Sequence, residues 1–355
     1  MALSLAPRAT RDALGDWILA AVCFASGYLC GGARRARRVL LGALVATGLF
    51  EVFFGAQLWF ARADELWGEK IPGPTNRLRG TFVNANHLAT YLAILCAVAL
   101  AWVWWSLRRA TSAESLEERI RAAAVPGVVW VALFVGLAFT GSRAGMLATL
   151  AGAATEIAIV FAKRRRRTVV AALAALLLVA VGTVAAFSFQ AGFGRLLATG
   201  IGEGPVQVRL LAARRTLELW REAPVTGIGI GAFRAAFPTV QDATIPDVWW
   251  HAHNGWVELL ASAGLAGFAL FVAGLVALGR GLARVWREGR TSEDRAAALA
   301  AAGALVAVGV QELGDFGITM PATAATLALL CGAALAAALR ESSAAPVADR
   351  AGFES

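Results

Sequence analysis

The chain has 355 residues, 58% of them hydrophobic, and a mean hydropathy of +0.64. A soluble domain is roughly 45–50% apolar, so this composition excludes an ordinary soluble domain with a large core. The net charge is +9, and the basic residues cluster between apolar blocks, as in ARRARR at 33–38 and KRRRR at 163–167. That pattern sets membrane orientation and implies no nucleic-acid partner, because basic and aromatic residues do not share a soluble domain. The four cysteines lie inside apolar blocks and form no C-x-x-C pair, so neither a disulfide framework nor a metal site is implied.

About 20 apolar residues cross a hydrocarbon core as a helix. The apolar blocks predict nine spans, at 14–32, 39–60, 85–106, 124–141, 144–162, 168–189, 254–278, 296–313 and 320–339. The fold class is therefore all-α: one polytopic transmembrane helical bundle over 1–355, with a large loop at 190–253 between spans six and seven. The fourth and fifth spans meet at GSRAG in a tight hairpin. The long loop contains a predicted helix over 206–222, stopped by Pro224, and then TGIGIGAF. This is not a nucleotide-binding G-x-G-x-x-G after a strand; its glycines predict a turn or a close backbone approach.

Placing KRRRR in the cytoplasm puts 20 of the 33 Lys and Arg residues inside and the 190–253 loop outside. The C-terminus is then inside and the N-terminus outside. An outside start with nine spans is unusual: either a short N-terminal tail is translocated, or further spans lie upstream of Met1. No internal repeat and no pair of broken helices is legible, which argues against an inverted-repeat transporter.

Ionisable groups at membrane depth are costly and mark functional sites. The chain has three histidines, and all stand at outer span entrances. His87 lies in FVNANHLA with Asn84 and Asn86; His251 and His253 lie in WWHAHNGW, before Asn254. His253 is a candidate general base. On a helix, His251 would point elsewhere, so the two are not expected to act as a pair. Asn84, Asn86, His87 and Asn254 are candidate substrate-binding residues, since amides both donate to and accept from hydroxyl-rich ligands. Arg143, at the outer turn of the fourth and fifth spans, either anchors to lipid headgroups or clamps a phosphate with its paired donors. On the loop helix, Arg214, Glu218 and Arg221 share a face as a charge-balanced stripe. Arg209 lies on another face without an acid and is available to an anion.

The ordered set FVNANHLATYLA, TGSRAGMLA, the segment from Arg209 through P-x-x-G-x-G to Phe233, HNGWVELLASAGLAG and GDFGITMPA resembles the O-antigen ligase / Wzy-type O-antigen polymerase superfamily. The resemblance spans roughly residues 75–340. It implies a GT-C-like, metal-independent, inverting glycosyltransferase with no cofactor. The implied donor is a saccharide on undecaprenyl diphosphate, the acceptor a glycan or lipid A-core, and the place the outer (periplasmic) face of a bacterial inner membrane, within the lipid bilayer. Carried across by motif, Arg143 and Arg209 bind the diphosphate and His253 is catalytic. Where the family often has a histidine before its D-F-x-x-x-x-P motif, this chain has Gln311. A transporter or flippase of a lipid-linked anionic glycan is the alternative from a different class.

Overall fold

Apolar blocks of this length become helices because helices satisfy their backbone hydrogen bonds internally, which a lipid core demands. A computed structural model describes residues 4–70, 77–110, 115–162, 204–245 and 249–337, with a few positions between 170 and 182. In chain order the helices are α1 (Pro7–Gly31), α2 (Arg34–Phe60), α3 (Ala85–Arg109), α4 (Leu116–Phe139), α5 (Arg143–Ala162), α6 (Gly204–Glu222), α7 (Phe233–Ala236), α8 (Gly255–Glu288), α9 (Ser292–Gln311) and α10 (Pro321–Leu335). The only sheet among the described residues is a two-residue antiparallel hairpin, Glu65–Leu66 with Glu69–Lys70. The all-α expectation holds.

Six helices, α1, α2, α3, α4, α5 and α8, are long and apolar enough to cross a membrane, so this is a multi-pass membrane protein. The expected span at 168–189 lies largely outside the described residues. The block expected at 296–313 forms α9, which does not meet that criterion of length and composition. The last block forms α10, only 15 residues long. The expected seventh span, 254–278, continues to Glu288, making a 34-residue helix about 51 Å long at 1.5 Å per residue. That exceeds a hydrocarbon core of roughly 30 Å. The excess is resolved by a break at Gly264 (φ 63°, ψ −175°), leaving Leu265–Glu288 as a straight piece of sufficient length.

α3 is the centre of the bundle. It is buried over most of its length and packs on α4, α5 and α9. The Asn84 side chain caps it, accepting from the Asn86 amide at 2.9 Å, which satisfies a donor the first turn leaves open. α1 packs flat on α10. A Cβ at Gly27 would fall 2.2 Å from the Leu329 carbonyl oxygen, and one at Gly332 2.1 Å from that of Phe24. Small residues permit such backbone contact between spans. Buried Arg37 pairs with Asp294 at 2.6 Å, joining the starts of α2 and α9.

The segment before α8 is more than a connection carrying one helix; it forms a cap. α6, α7 and the 3-10 turn Phe237–Thr239 close on their own apolar core, in which Phe233 and Phe237 stack 4.8 Å apart. Ala252, fully buried, belongs to this core. The charge stripe on α6 differs from the expected one. Arg215, not Arg214, pairs with Glu218 at 2.9 Å and also with Asp242 at 2.6 Å, because the chain folds back to bring Asp242 onto Arg215. Arg214 is exposed.

The TGIGIG stretch has a specific partner, the break in α8. The amides of Ile228 and Gly229 donate to the carbonyls of Ala261 and Ser262, at 3.0 and 2.9 Å, and those of Leu265 and Ala266 donate to Pro224 and Val225, at 2.8 and 3.1 Å. The loop thus satisfies the backbone groups that the break exposes. The sequence had shown no pair of broken helices; α8 is a single broken helix, and its open ends are closed by protein. A Cβ at Gly264 would lie 2.3 Å from the Val225 oxygen, in a backbone region open essentially to glycine alone. Gly264→Ala is expected to cost at least about 1–3 kcal/mol from the backbone alone and to remove most folded protein from membranes. Gly274→Ala, on the same helix with nothing within 4 Å of its Cβ position, should be silent. Comparing folded yield and thermal stability of the two variants checks this.

Candidate active site

Five parts of the chain meet at one end of the bundle: the start of α3, the start of α5, the start of α8, α6 from the cap, and the turn 312–320 between α9 and α10. Each histidine begins where a helix starts, but none of the three sits alone. Phe316, in that turn, is their common neighbour. His251 stacks on it at 4.1 Å and 19°, while His253 and His87 meet it edge-on, each at 4.9 Å. The expectation that His251 and His253 point apart fails because neither is in a helix. His253 takes a left-handed backbone conformation (φ 50°), uncommon for a non-glycine residue, and this turns both rings onto one phenyl group. Strain of this kind clusters at functional sites.

The turn is held from both sides. Asn254 caps α8, its side-chain oxygen accepting from Val257 N at 3.0 Å, while its amide donates to Leu313 O at 3.1 Å. The Gly255 amide donates to the carbonyls of Glu312 and Asp315, at 2.8 and 3.0 Å. Glu258, one turn into α8, reaches back with both oxygens, to His251 Nδ1 and to the Ala252 amide, each at 2.8 Å. His253 Nδ1 lies 3.7 Å from Asp315 Oδ1, an ion-pair separation too long for a hydrogen bond.

Asp315 is 1% exposed. Burial alone would raise its pKa, but the neighbouring His253 imidazole and the charges of Arg209, His253 and His87 outweigh it and hold the carboxyl below its ordinary value. Asp315 is thus an anion at neutral pH. Several buried polar atoms nearby have no hydrogen-bond partner: His87 Nε2, His253 Nδ1, Asp315 Oδ2, Glu312 Oε2 and both amide atoms of Gln311. Buried polar atoms are normally paired; a group of unpaired ones at a helix-end turn is an arrangement suited to a ligand.

The two candidate arginines flank the same turn. Arg209, half-buried on α6, donates to Gly314 O at 3.1 Å. Arg143, half-buried, is the first residue of α5, and the next residue, Ala144, packs against Gly314, where a Cβ would lie 3.8 Å away. The sharp turn before it uses Gly141 at φ 66°. α5 then packs on the first turn of α3, since a Cβ at Gly145 would meet Ala89 at 2.7 Å. Of the candidate amides, Asn84 is the α3 cap and Asn86 is buried, accepting from Arg77 at 2.5 Å. Both are built into the framework beneath His87.

Sequence reasoning did not assign roles to Phe316 or Glu258 and left Asp315 without one. The signals were present in GDFG and in the acid five residues after His253, but only the fold shows where they converge.

Residues 128–272 match the family model for O-antigen ligase. The matched segment is less than half of the chain; it begins in α4, ends beyond the α8 break, and contains Arg143, Arg209, His251, His253 and Glu258. No curated protein matches the chain.

Proposed function

We propose that this chain, whose residues 128–272 match the O-antigen ligase family model, transfers a saccharide from undecaprenyl diphosphate to an acceptor hydroxyl on the outer face of a bacterial inner membrane. The observation that carries this reading is the convergence of two arginines, three histidines and an ionised aspartate on the turn around Phe316. A lipid diphosphate brings two adjacent anions to headgroup depth, and guanidinium groups suit them. In the step proposed, the acceptor oxygen attacks the anomeric carbon and the bond from that carbon to the phosphate oxygen breaks. Undecaprenyl diphosphate leaves with the electron pair. His253 takes the hydroxyl proton, with Asp315 stabilising the imidazolium that forms. Arg143 and Arg209 offset the charge growing on the diphosphate. Attack opposite the leaving group inverts the anomeric centre, and the charge stabilisation comes from these side chains without a metal or cofactor. His87, Asn84, Asn86 and Asn254 line or support the surface on which the sugars rest. The acceptor is a glycan or lipid A-core.

The broken helix α8 gives the transporter reading its one specific support, since transporters use broken helices to present open backbone groups to substrate. Here those groups are taken by residues 224–229, which favours transfer. Purified protein in vesicles with a lipid-diphosphate saccharide separates the two. Transfer gives a new glycosidic product and free undecaprenyl diphosphate, whereas transport changes only the sidedness of an intact lipid. The outer placement has its own check. In a background without the four native cysteines, a membrane-impermeant thiol reagent on intact cells should label Arg214→Cys and spare Glu288→Cys. Labelling with the opposite preference would mean the orientation is inverted.

A further inference from the structure

We infer that Glu258 is a positioning residue for the proton acceptor, acting through His251 and the Ala252 amide. The inference rests on the transferase reading of the site. Glu258 lies on α8, one turn from the strained His251–His253 segment, and uses one oxygen for each of two contacts at 2.8 Å. A carboxylate accepts only, so the Glu258 contact requires Nδ1 of His251 to carry its proton. That fixes the neutral ring in the tautomer with Nε2 as acceptor. The same contact holds the His251 ring flat on Phe316, at 4.1 Å and 19°. Phe316 is in turn the surface against which His253 and His87 set their edges.

The second contact acts on the main chain. Ala252 is fully buried in the core of the cap, and its amide is tied to Glu258. The residue after it is His253 at φ 50°. A side chain that pins the atom just before a strained residue, and the ring beside it, determines where His253 Nδ1 stands relative to Asp315. No contact between Glu258 and His253 itself is needed. Glu258 is 13% exposed at its side chain, so the contact is sheltered from competing water.

The test uses the full chain in vesicles, the undecaprenyl-diphosphate-linked saccharide as donor and native membranes as the source of acceptor, with release of free undecaprenyl diphosphate as the readout. Glu258→Gln keeps the shape and one acceptor oxygen but loses the charge. The expected result is a fall in kcat of about 10- to 100-fold, the range for histidines at metal sites that lose their outer carboxylate partner, with KM for the donor little changed and thermal stability near wild type. Glu258→Asp should recover part of kcat. If Glu258→Gln keeps wild-type kcat per folded molecule, or changes KM alone, the inference is wrong even though the transferase reading stands. If wild-type protein releases no carrier diphosphate, the transferase reading fails and the inference falls with it.

Discussion

His253→Ala is expected to abolish transfer while leaving the protein inserted in the membrane. Loss of a general base removes about 10²- to 10⁴-fold of rate, enough to take a transfer assay to background. The alanine variant also places a second strained residue type at φ 50°, so a fall in folded protein would confuse the result. His253→Asn removes that ambiguity, because asparagine tolerates the left-handed region and cannot act as the base. Both variants should lose transfer, and His253→Asn should keep wild-type thermal stability. His251→Ala should cost less than His253→Ala, because His251 is the ring that Glu258 steers and His253 the one facing Asp315. Equal rate losses from the two, at equal protein levels, would leave the proton acceptor unassigned between them.

The second large effect is expected at Arg143 and Arg209. If both hold the diphosphate, Arg→Lys should fail nearly as badly as Arg→Ala, by about 10²-fold or more, the scale for losing one donor aimed at developing charge. Lysine keeps the charge but lacks the planar, paired donors. Arg209 also donates to Gly314 O, so its planar fork can hold the turn with one arm and meet an anion with the other, which a single ammonium on a flexible stem does less well. Arg214→Ala is the control. Arg214 is exposed on α6, the ion pairs of that helix run through Arg215, and the change should fall within about 1 kcal/mol. All three residues are arginines, so charge alone does not separate them. Near-normal transfer by Arg143→Lys and Arg209→Lys would show that the two residues serve only as anchors.

Which residues to propose for the site was legible from their position along the chain. Three histidines at span entrances and an arginine at a turn between two spans stand out because ionisable groups are costly there. How they are assembled was not legible. A helical wheel separates His251 from His253, and that logic failed because the segment is an irregular turn whose path is set by Glu258 and by the buried Ala252. The Gly227–Gly231 pattern announced a close approach, which the structure realises for Gly227 at Gly264, 37 residues downstream, and for Gly229 and Gly231 against Ser4 and Ala9 near the N-terminus. Sequence distance hides such a partner, since backbone hydrogen bonding carries no side-chain signature.

By itself, the sequence determined the helical, membrane-spanning class of this protein and supplied the orientation proposed for it. Its hydropathy is a sum over local blocks, and the sorting of lysine and arginine between them is a count; both are one-dimensional properties that the bilayer reads directly. Only the tertiary structure decided that α8 breaks at Gly264, that Arg215 pairs with Asp242, and that three histidines share Phe316. Those outcomes depend on which surfaces meet when the cap folds onto the bundle, and packing between distant segments is a property of the whole arrangement.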